Sequence, residues 1–300
     1  MTILLTMLAS ALVSSPPSNQ AVVVRPVADM FARATEDSSV VSQAIYATTV
    51  DILEQEQGWV RARTPDHYTG WMPLQALRLL QLGEAPYGTR GPVAWVAALY
   101  AHIYREADVT RRRPLLTVPF ETRLEIAGEP ADKESRWLEV RLVDGRAGWI
   151  QRGDVSFESR PLSIPEVIEL SRRFLGLPYT WGGTSSFGFD CSGFTQMLCR
   201  RRGITIPRDA SPQADWGGMT PVNRADLQPG DLVYFGESSS QISHTGMYIG
   251  EGRFIHASTH GRPVVQIGEL ADEHWSRLFQ RARRLKGPAI DQPAVSGEAR

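Results

Sequence analysis

Two stretches of the first half carry the same order of apolar and polar positions. GWVRARTPDHYTGWMPLQAL begins at Gly58, and RWLEVRLVDGRAGWIQRGDV begins at Arg136. In each, twelve positions separate two tryptophans (Trp59 and Trp71; Trp137 and Trp149), and an arginine follows the first by four (Arg63; Arg141). An apolar residue follows the second by six (Leu77; Val155). Alternation over a few residues reads as a half-buried strand, so each copy predicts a strand, a polar turn, a Gly-Trp strand and a further short turn. A copy spans roughly 60 to 70 residues, the size of a small β-barrel, and its tryptophans are expected in the core.

The pattern changes after SFESRPLSIPEV. Ser163 is placed to cap a helix with Pro165 and Glu166 in its first turn, and Val167, Ile168, Leu170, Phe174 and Leu175 fit one face. GLPYTWGGTSSFGF is a Gly-rich aromatic loop. Asp190 opens a second helix with Phe194, Met197 and Leu198 inward, and Gly203 ends it. PGDLVYFG, HTGMYIGEG and RFIHAS then read as consecutive strands, followed by VVQIGEL and a polar helix, DEHWSRLFQRARRL. Helices first and an antiparallel meander afterwards make this half α+β. The expected boundaries are 1–20 for an N-terminal segment, 21–82 and 92–158 for the two barrels, 162–285 for the α+β domain and 286–300 for a loose tail.

Net charge is −1, so no basic surplus points to nucleic acid or an anionic membrane. No stretch reaches the roughly 18–20 apolar residues that span a bilayer. MTILLTMLASALVSSPPS has a small-residue Ala9–Ala11 stretch in the manner of a leader, yet no Lys or Arg precedes its apolar run. Cys191 and Cys199 would lie about 12 Å apart along a helix, beyond the roughly 7 Å Cα limit of a disulfide.

Cys191 follows Asp190 at the predicted helix start. Unpaired N–H groups and the helix dipole there lower a thiol's pKa and can hold an oxyanion. Taken alone, the residue fits a buried small side chain better than a nucleophile. Asp190 opposes a thiolate by charge, so it serves as a cap or binds a cationic group of a substrate. A nucleophilic thiol needs a base, and the base an orienting partner. His244, in SHTGMYIG, and His256, on the next predicted strand, supply both. A zinc site of one Cys and two His was the alternative, but no close-spaced ligand pair supports it.

YTWGGTSSFGFDCSGFTQ, PGDLVYF, SHTGMYIG and FIHAS together resemble the NlpC-type cell-wall cysteine peptidases, whose fold is a reduced papain-like α+β domain. The likeness covers 164–284. The Trp pairs resemble the bacterial SH3-like domains that often precede it. With PYTWGG and IPRDASPQ, the whole is most similar to the γ-D-glutamyl-L-diamino acid endopeptidases that process murein peptides. The resemblance implies Cys191 as nucleophile, His244 as base and His256 as its orienter. It implies Tyr179 at the reacting carbonyl, Trp181 as a wall of the groove, Ser192 and Ser211 lining the site, and Asp190 on the free amine of an N-terminal L-Ala. Tyr68 of the first SH3-like domain would close one end of the groove. A companion acidic residue is expected there too, but RATEDSSVVSQ, with Glu36, departs from the family's pattern and none is assigned.

The expected function is hydrolysis of the γ-D-Glu to diamino acid amide of a murein-derived peptide by a monomer, with no metal or organic cofactor. A wall-binding module with a secondary or inactive catalytic domain is the reading from another class, and acyl transfer through the same acyl-enzyme is a third. Recycling of imported peptides would place the chain in the cytoplasm, and a cleaved leader would place it outside.

Overall fold

The computed structural model describes residues 17–127, 135–158 and 160–286. The N-terminal segment up to residue 16 and the tail from 287 lie outside the described residues. Three sheet systems follow one another. The first has β1 (Pro17–Val23), β2 (Val27–Phe31), β3 (Val40–Ile45), β4 (Thr49–Glu56), β5 (Trp59–Arg63), β6 (Thr69–Pro73) and β7 (Leu77–Gln81). The second has β8 (Val93–Val96), β9 (Tyr100–Tyr104), β10 (Leu116–Pro119), β11 (Arg123–Ile126), β12 (Trp137–Arg141), β13 (Ala147–Gln151) and β14 (Val155–Ser156).

Neither sheet closes. The orders are β3-β2-β6-β5-β4-β1-β7 and β10-β9-β13-β12-β11-β8-β14, so the expected SH3-like β-barrels are open seven-stranded sheets. The reason lies at the edges. Beyond the β3 edge sits the Gly-rich loop of the third region: the Gln43 carbonyl accepts from Thr184 Oγ1 and its side-chain oxygen from the Thr184 N–H, both at 3.2 Å. After β10, the Phe120 N–H donates to Ser186 Oγ of the same loop at 3.0 Å. A covered edge is as well protected as a closed one.

The repeated tryptophans also sit differently from expectation. Their alternate neighbours, Val60, Ala62, Met72, Leu138, Val140 and Ile150, fill the cores. The tryptophans themselves are half-buried on the outer face. Trp59 meets Phe31 edge-to-face at 5.5 Å and Trp137 meets Tyr104 the same way at 5.7 Å, so the repeat persists in three dimensions. The two sheets share one apolar cluster, in which Tyr46 and Tyr87 of the first half join Leu124, Leu138 and Ile150.

The third region contains α1 (Ile164–Arg172), β15 (Thr184–Ser185), β16 (Gly188–Phe189), α2 (Cys191–Arg201), α3 (Ala210–Asp215), β17 (Met219–Val222), β18 (Leu232–Ser238), β19 (Gln241–Gly250), β20 (Arg253–Ser258), β21 (Val264–Glu269), α4 (Glu273–Leu278) and β22 (Phe279–Leu285). Glu166 reaches back to the Ser163 N–H at 2.8 Å, so the box that opens α1 forms. The helix ends at Arg172, before Leu175, which is 42% exposed. The predicted C-terminal helix keeps only its first turns. Its basic half becomes β22, inserted between β17 and β18 in the order β17-β22-β18-β19-β20-β21, because pairing on both sides outweighs local helix preference. Among the described residues no helix is long and apolar enough to cross a membrane.

Phe174, Phe189 and Phe194 pack edge-to-face between the helices, and Phe120 from the second sheet joins them, 5.3 Å from Phe174. Phe174→Ala is therefore expected to cost about 3–5 kcal/mol. Urea denaturation followed by circular dichroism measures it, and a loss below about 1 kcal/mol would show that this cluster is peripheral.

Candidate active site

The site is built around the first turn of α2. Asp190 has an extended backbone, and its Oδ1 accepts from the Gly193 N–H at 2.7 Å, which caps the helix. The same carboxylate accepts from the Gly182 N–H at 3.1 Å and from Ser192 Oγ at 3.3 Å. Arg208 grips both oxygens, Nη1 to Oδ1 at 3.0 Å and Nη2 to Oδ2 at 2.7 Å. Its Nε donates to Ser42 Oγ of β3 at 3.1 Å, and the residue is only 3% exposed. Asp190 is thus engaged on every side by the protein itself. Gly182 is required beside it: φ is +75°, and a Cβ there would come within 2.7 Å of Val40 Cγ1 across the domain boundary.

Cys191 lies in that first turn, 7% exposed. Burial, and after it the charge of Asp190, push its thiol up to about 12, while the backbones of Thr245 and Ser192 and the charge of Arg208 pull the other way. Burial and the Asp190 carboxylate thus oppose the lowering that a helix start alone would give the thiol. Cys199, deeper in α2, is a free and buried packing residue.

Thr245, whose backbone reaches Cys191, is the neighbour of His244 on β19. His244 and His256 stand diagonally on paired strands, with Met247 opposite Ile255 fixing the register. Their rings meet edge-to-face at 5.0 Å, and His244 Nε2 is 2.8 Å from His256 Nδ1. Gly246 makes this possible, because a Cβ there would come within 2.7 Å of Phe254 and 3.0 Å of His256 Cβ. Burial holds both imidazoles well below the ordinary histidine value, aided by the neighbouring histidines. His256 is 1% exposed and its Nε2 has no hydrogen-bond partner among the described residues.

A groove of about 520 Å³ runs past Cys191. Tyr68, Tyr179, Trp181, Asp190, Ser192 and Ser211 all line it. Ser243 lines it too, with His244 next in the chain and His256 behind. Trp181 forms an open wall, 69% exposed. Burial, then Cys191 and Asp190, raise the Tyr179 phenol above its ordinary value, so it remains an O–H donor. The Ser192 hydroxyl is turned toward Asp190 and Arg208. From the first sheet, Ser39, Val40 and Val41 close in on one end, whereas Glu36 is exposed and does not line the groove.

Two features of the site are not legible in the sequence. Tyr68 donates its hydroxyl to Asp209 Oδ2 at 3.0 Å, so the acid beside the tyrosine comes from RDAS of the third region and not from the first sheet. Arg208, the other, precedes it. The dipeptide Arg-Asp ahead of a short helix was the available signal, but nothing local tells which of the two is buried against Asp190. Among the described residues no cluster of three or more His, Cys, Asp or Glu could hold a metal ion.

A model of the NlpC/P60 family matches residues 176–284, and one of the bacterial dipeptidyl-peptidase Sh3 domain matches residues 30–77. The chain is 33% identical over 265 residues to a gamma-D-glutamyl-L-lysine dipeptidyl-peptidase of Bacillus cereus (83% of this chain, 76% of the relative). It is 29% identical over 258 residues to the protein of that name in Bacillus subtilis (83% and 82%). The crystal structure of an NlpC/P60 family protein from Bacillus cereus superposes with a TM-score of 0.76 at 26% identity, over 89% of this chain and 99% of that one.

Arg208→Gln leaves the Asp190 charge buried and unpaired, and a loss of about 3–5 kcal/mol in urea denaturation is expected; stability unchanged within 0.5 kcal/mol, roughly the scatter of neutral substitutions, would contradict the pairing. The raised thiol has its own signature. Because the thiolate fraction is small at neutral pH and grows toward the raised pKa, alkylation of Cys191 by iodoacetamide should be slow at pH 7 and accelerate steadily into the alkaline range. A rate already flat from pH 6 to 8 would instead indicate a thiolate–imidazolium pair.

Proposed function

This chain belongs to the NlpC/P60 family of cysteine peptidases, and we propose that it hydrolyses the amide between the D-Glu γ-carboxyl and a diamino acid in murein peptides that carry a free N-terminal amine. The observation that carries this reading is one groove lined by Cys191, by the hydrogen-bonded Tyr68 and Asp209, and by Ser243, whose chain neighbour His244 is bonded to His256.

The tautomers follow from the chemistry. For His244 to take a proton through Nδ1, its Nε2–H must donate to His256 Nδ1, and His256 then carries its own proton on Nε2. As the substrate carbonyl approaches, His244 removes the Cys191 proton while the sulfur bonds to the carbonyl carbon. The resulting oxyanion is held by the Tyr179 hydroxyl and by N–H groups at the start of α2. Collapse breaks the C–N bond, and His244 returns the proton to the departing amine. Water, deprotonated by His244, then cleaves the thioester and releases the γ-glutamyl acid and the free thiol.

Specificity arises at the closed end. An ammonium there meets Asp209, whose carboxylate is shared only with the neutral Tyr68 hydroxyl among the hydrogen bonds described, while Asp190 is already paired with Arg208. We therefore move the amine-binding role from Asp190 to Asp209, with Asp190 retained as the wall behind the nucleophile. The blocked end also disfavours intact murein strands, which continue beyond that position.

L-Ala-γ-D-Glu-diaminopimelate and its N-acetyl form, assayed side by side by mass spectrometry, test both parts. Cleavage of the free-amine peptide to L-Ala-D-Glu is expected, with at least about 10³-fold loss in Cys191→Ala and in His244→Ala. Asp209→Asn should raise KM for the free-amine peptide with little change in kcat. Undiminished cleavage by Cys191→Ala would sink the peptidase reading, and equal rates on the two peptides would remove the amine site alone.

A further inference from the structure

Among the described residues, no carboxylate or amide side chain hydrogen-bonds to either imidazole of the proposed pair. His256 bonds to His244 on one side, and its far nitrogen, buried, has no hydrogen-bond partner among the described residues. Their relative attitude must come from what packs on them. Trp275, on α4 and 5% exposed, touches both. Its indole stacks on His244 with ring centroids 4.9 Å apart and 27° between planes, and it meets His256 edge-to-face at 4.9 Å and 90°. Phe235 at 5.0 Å and Phe254 at 5.4 Å brace the indole from the sheet. From the solvent side, His260 and His274, stacked on each other at 3.7 Å and 4°, cover it edge-on. The start of α4 is fixed in turn by Asp272, which accepts from the His274 and Trp275 N–H groups at 2.9 and 3.4 Å.

We propose that Trp275 is a positioning residue for the reaction: its face sets the plane of His244, its edge sets that of His256, and together they align Nε2 with Nδ1 and keep water from that bond. The inference rests on the assignment of His244 as the base. A ring free to rotate would present Nδ1 to Cys191 only part of the time, and small misplacements of a reacting group cost up to about 100-fold in rate. Removing the wall also lets solvent reach an imidazole that burial holds neutral. Water favours the charged form, so the His244 pKa rises toward its ordinary value and the acid limb of the rate profile moves up in pH. The charged and titratable groups around the cluster are His260, His274, Asp272 and Arg277 from α4 and the loops beside it, Glu237 from β18, and Cys191 and Asp190 across the groove. All are unchanged in the two Trp275 variants below.

The test compares the full chain with Trp275→Phe and Trp275→Leu, with Cys191→Ala as control. In Trp275→Leu, kcat should fall about 10- to 100-fold with KM changed less than about threefold, and the acid limb of kcat/KM should move to higher pH. Trp275→Phe, with a smaller flat ring, should lie between wild type and Leu in both measures. The proton shared by His244 and His256 provides a readout that needs no activity. Its low-field resonance is expected in wild type and Trp275→Phe and should be exchange-broadened in Trp275→Leu. A folded Trp275→Leu with wild-type kcat, acid limb and resonance would overturn the proposal. Should that variant not fold, Trp275→Phe decides it: equality with wild type in kcat and acid limb overturns the role, and an intermediate position supports it. Wild-type protein that fails to cleave, or a Cys191→Ala that cleaves, would sink the peptidase assignment while the resonance still judges Trp275.

Discussion

The buried pair of Asp190 and Arg208 is the constraint on which the site depends. A carboxylate one residue before the nucleophile caps α2, anchors the Gly-rich loop through Gly182 and would, left alone, carry a desolvation cost of several kcal/mol. Arg208 neutralises it and with the same guanidinium reaches Ser42 on β3. One ion pair therefore joins the helix start, the loop and the edge of a sheet that lies far away in sequence. The open edge of that sheet has the same cause, because its hydrogen-bonding groups are directed at the loop it supports.

The catalytic groups follow a related logic of enclosure. Cys191 is kept as a thiol by burial and by the neighbouring carboxylate, and His244 is kept as a neutral imidazole by burial. Both shifts favour the uncharged forms, so in the proposed reaction charge would develop only as the sulfur bonds to carbon, where the start of α2 and the Tyr179 hydroxyl would meet it. An apolar surround defines the ring positions, and aromatic packing takes over the orienting task that a hydrogen bond to a carboxylate performs elsewhere.

Much of this was legible along the chain, and what was not has a physical explanation. The α+β order, the helix that opens at Ser163 and the β18–β21 meander are written in local periodicity and capping residues. Cys191, His244 and His256 sit in short motifs whose spacing is set by one helix and one strand pair. The sheets stay open where the repeat predicts barrels because an edge is covered by a distant loop, which leaves no local mark. The tryptophans mark the outer face because alternation gives the core to their neighbours. The arginines of β22 hid a strand inside a helix-like stretch. Arg208, Asp209 and Trp275 act through single long-range contacts, and no periodicity reports such contacts.

The link from Ser42 to Arg208 also bears on how the chain is made. The two residues are 166 positions apart, so at typical synthesis rates Ser42 leaves the ribosome roughly 10 to 30 s before its partner. The first sheet is thus available as a template when α2 emerges. Until Arg208 arrives, the cap of α2 holds an unneutralised carboxylate. A chain cut short of Arg208 would hold the Asp190 charge unpaired at the start of α2. The start of α2 is thereby completed by a residue eighteen positions further on, which is held in turn by a strand made long before it.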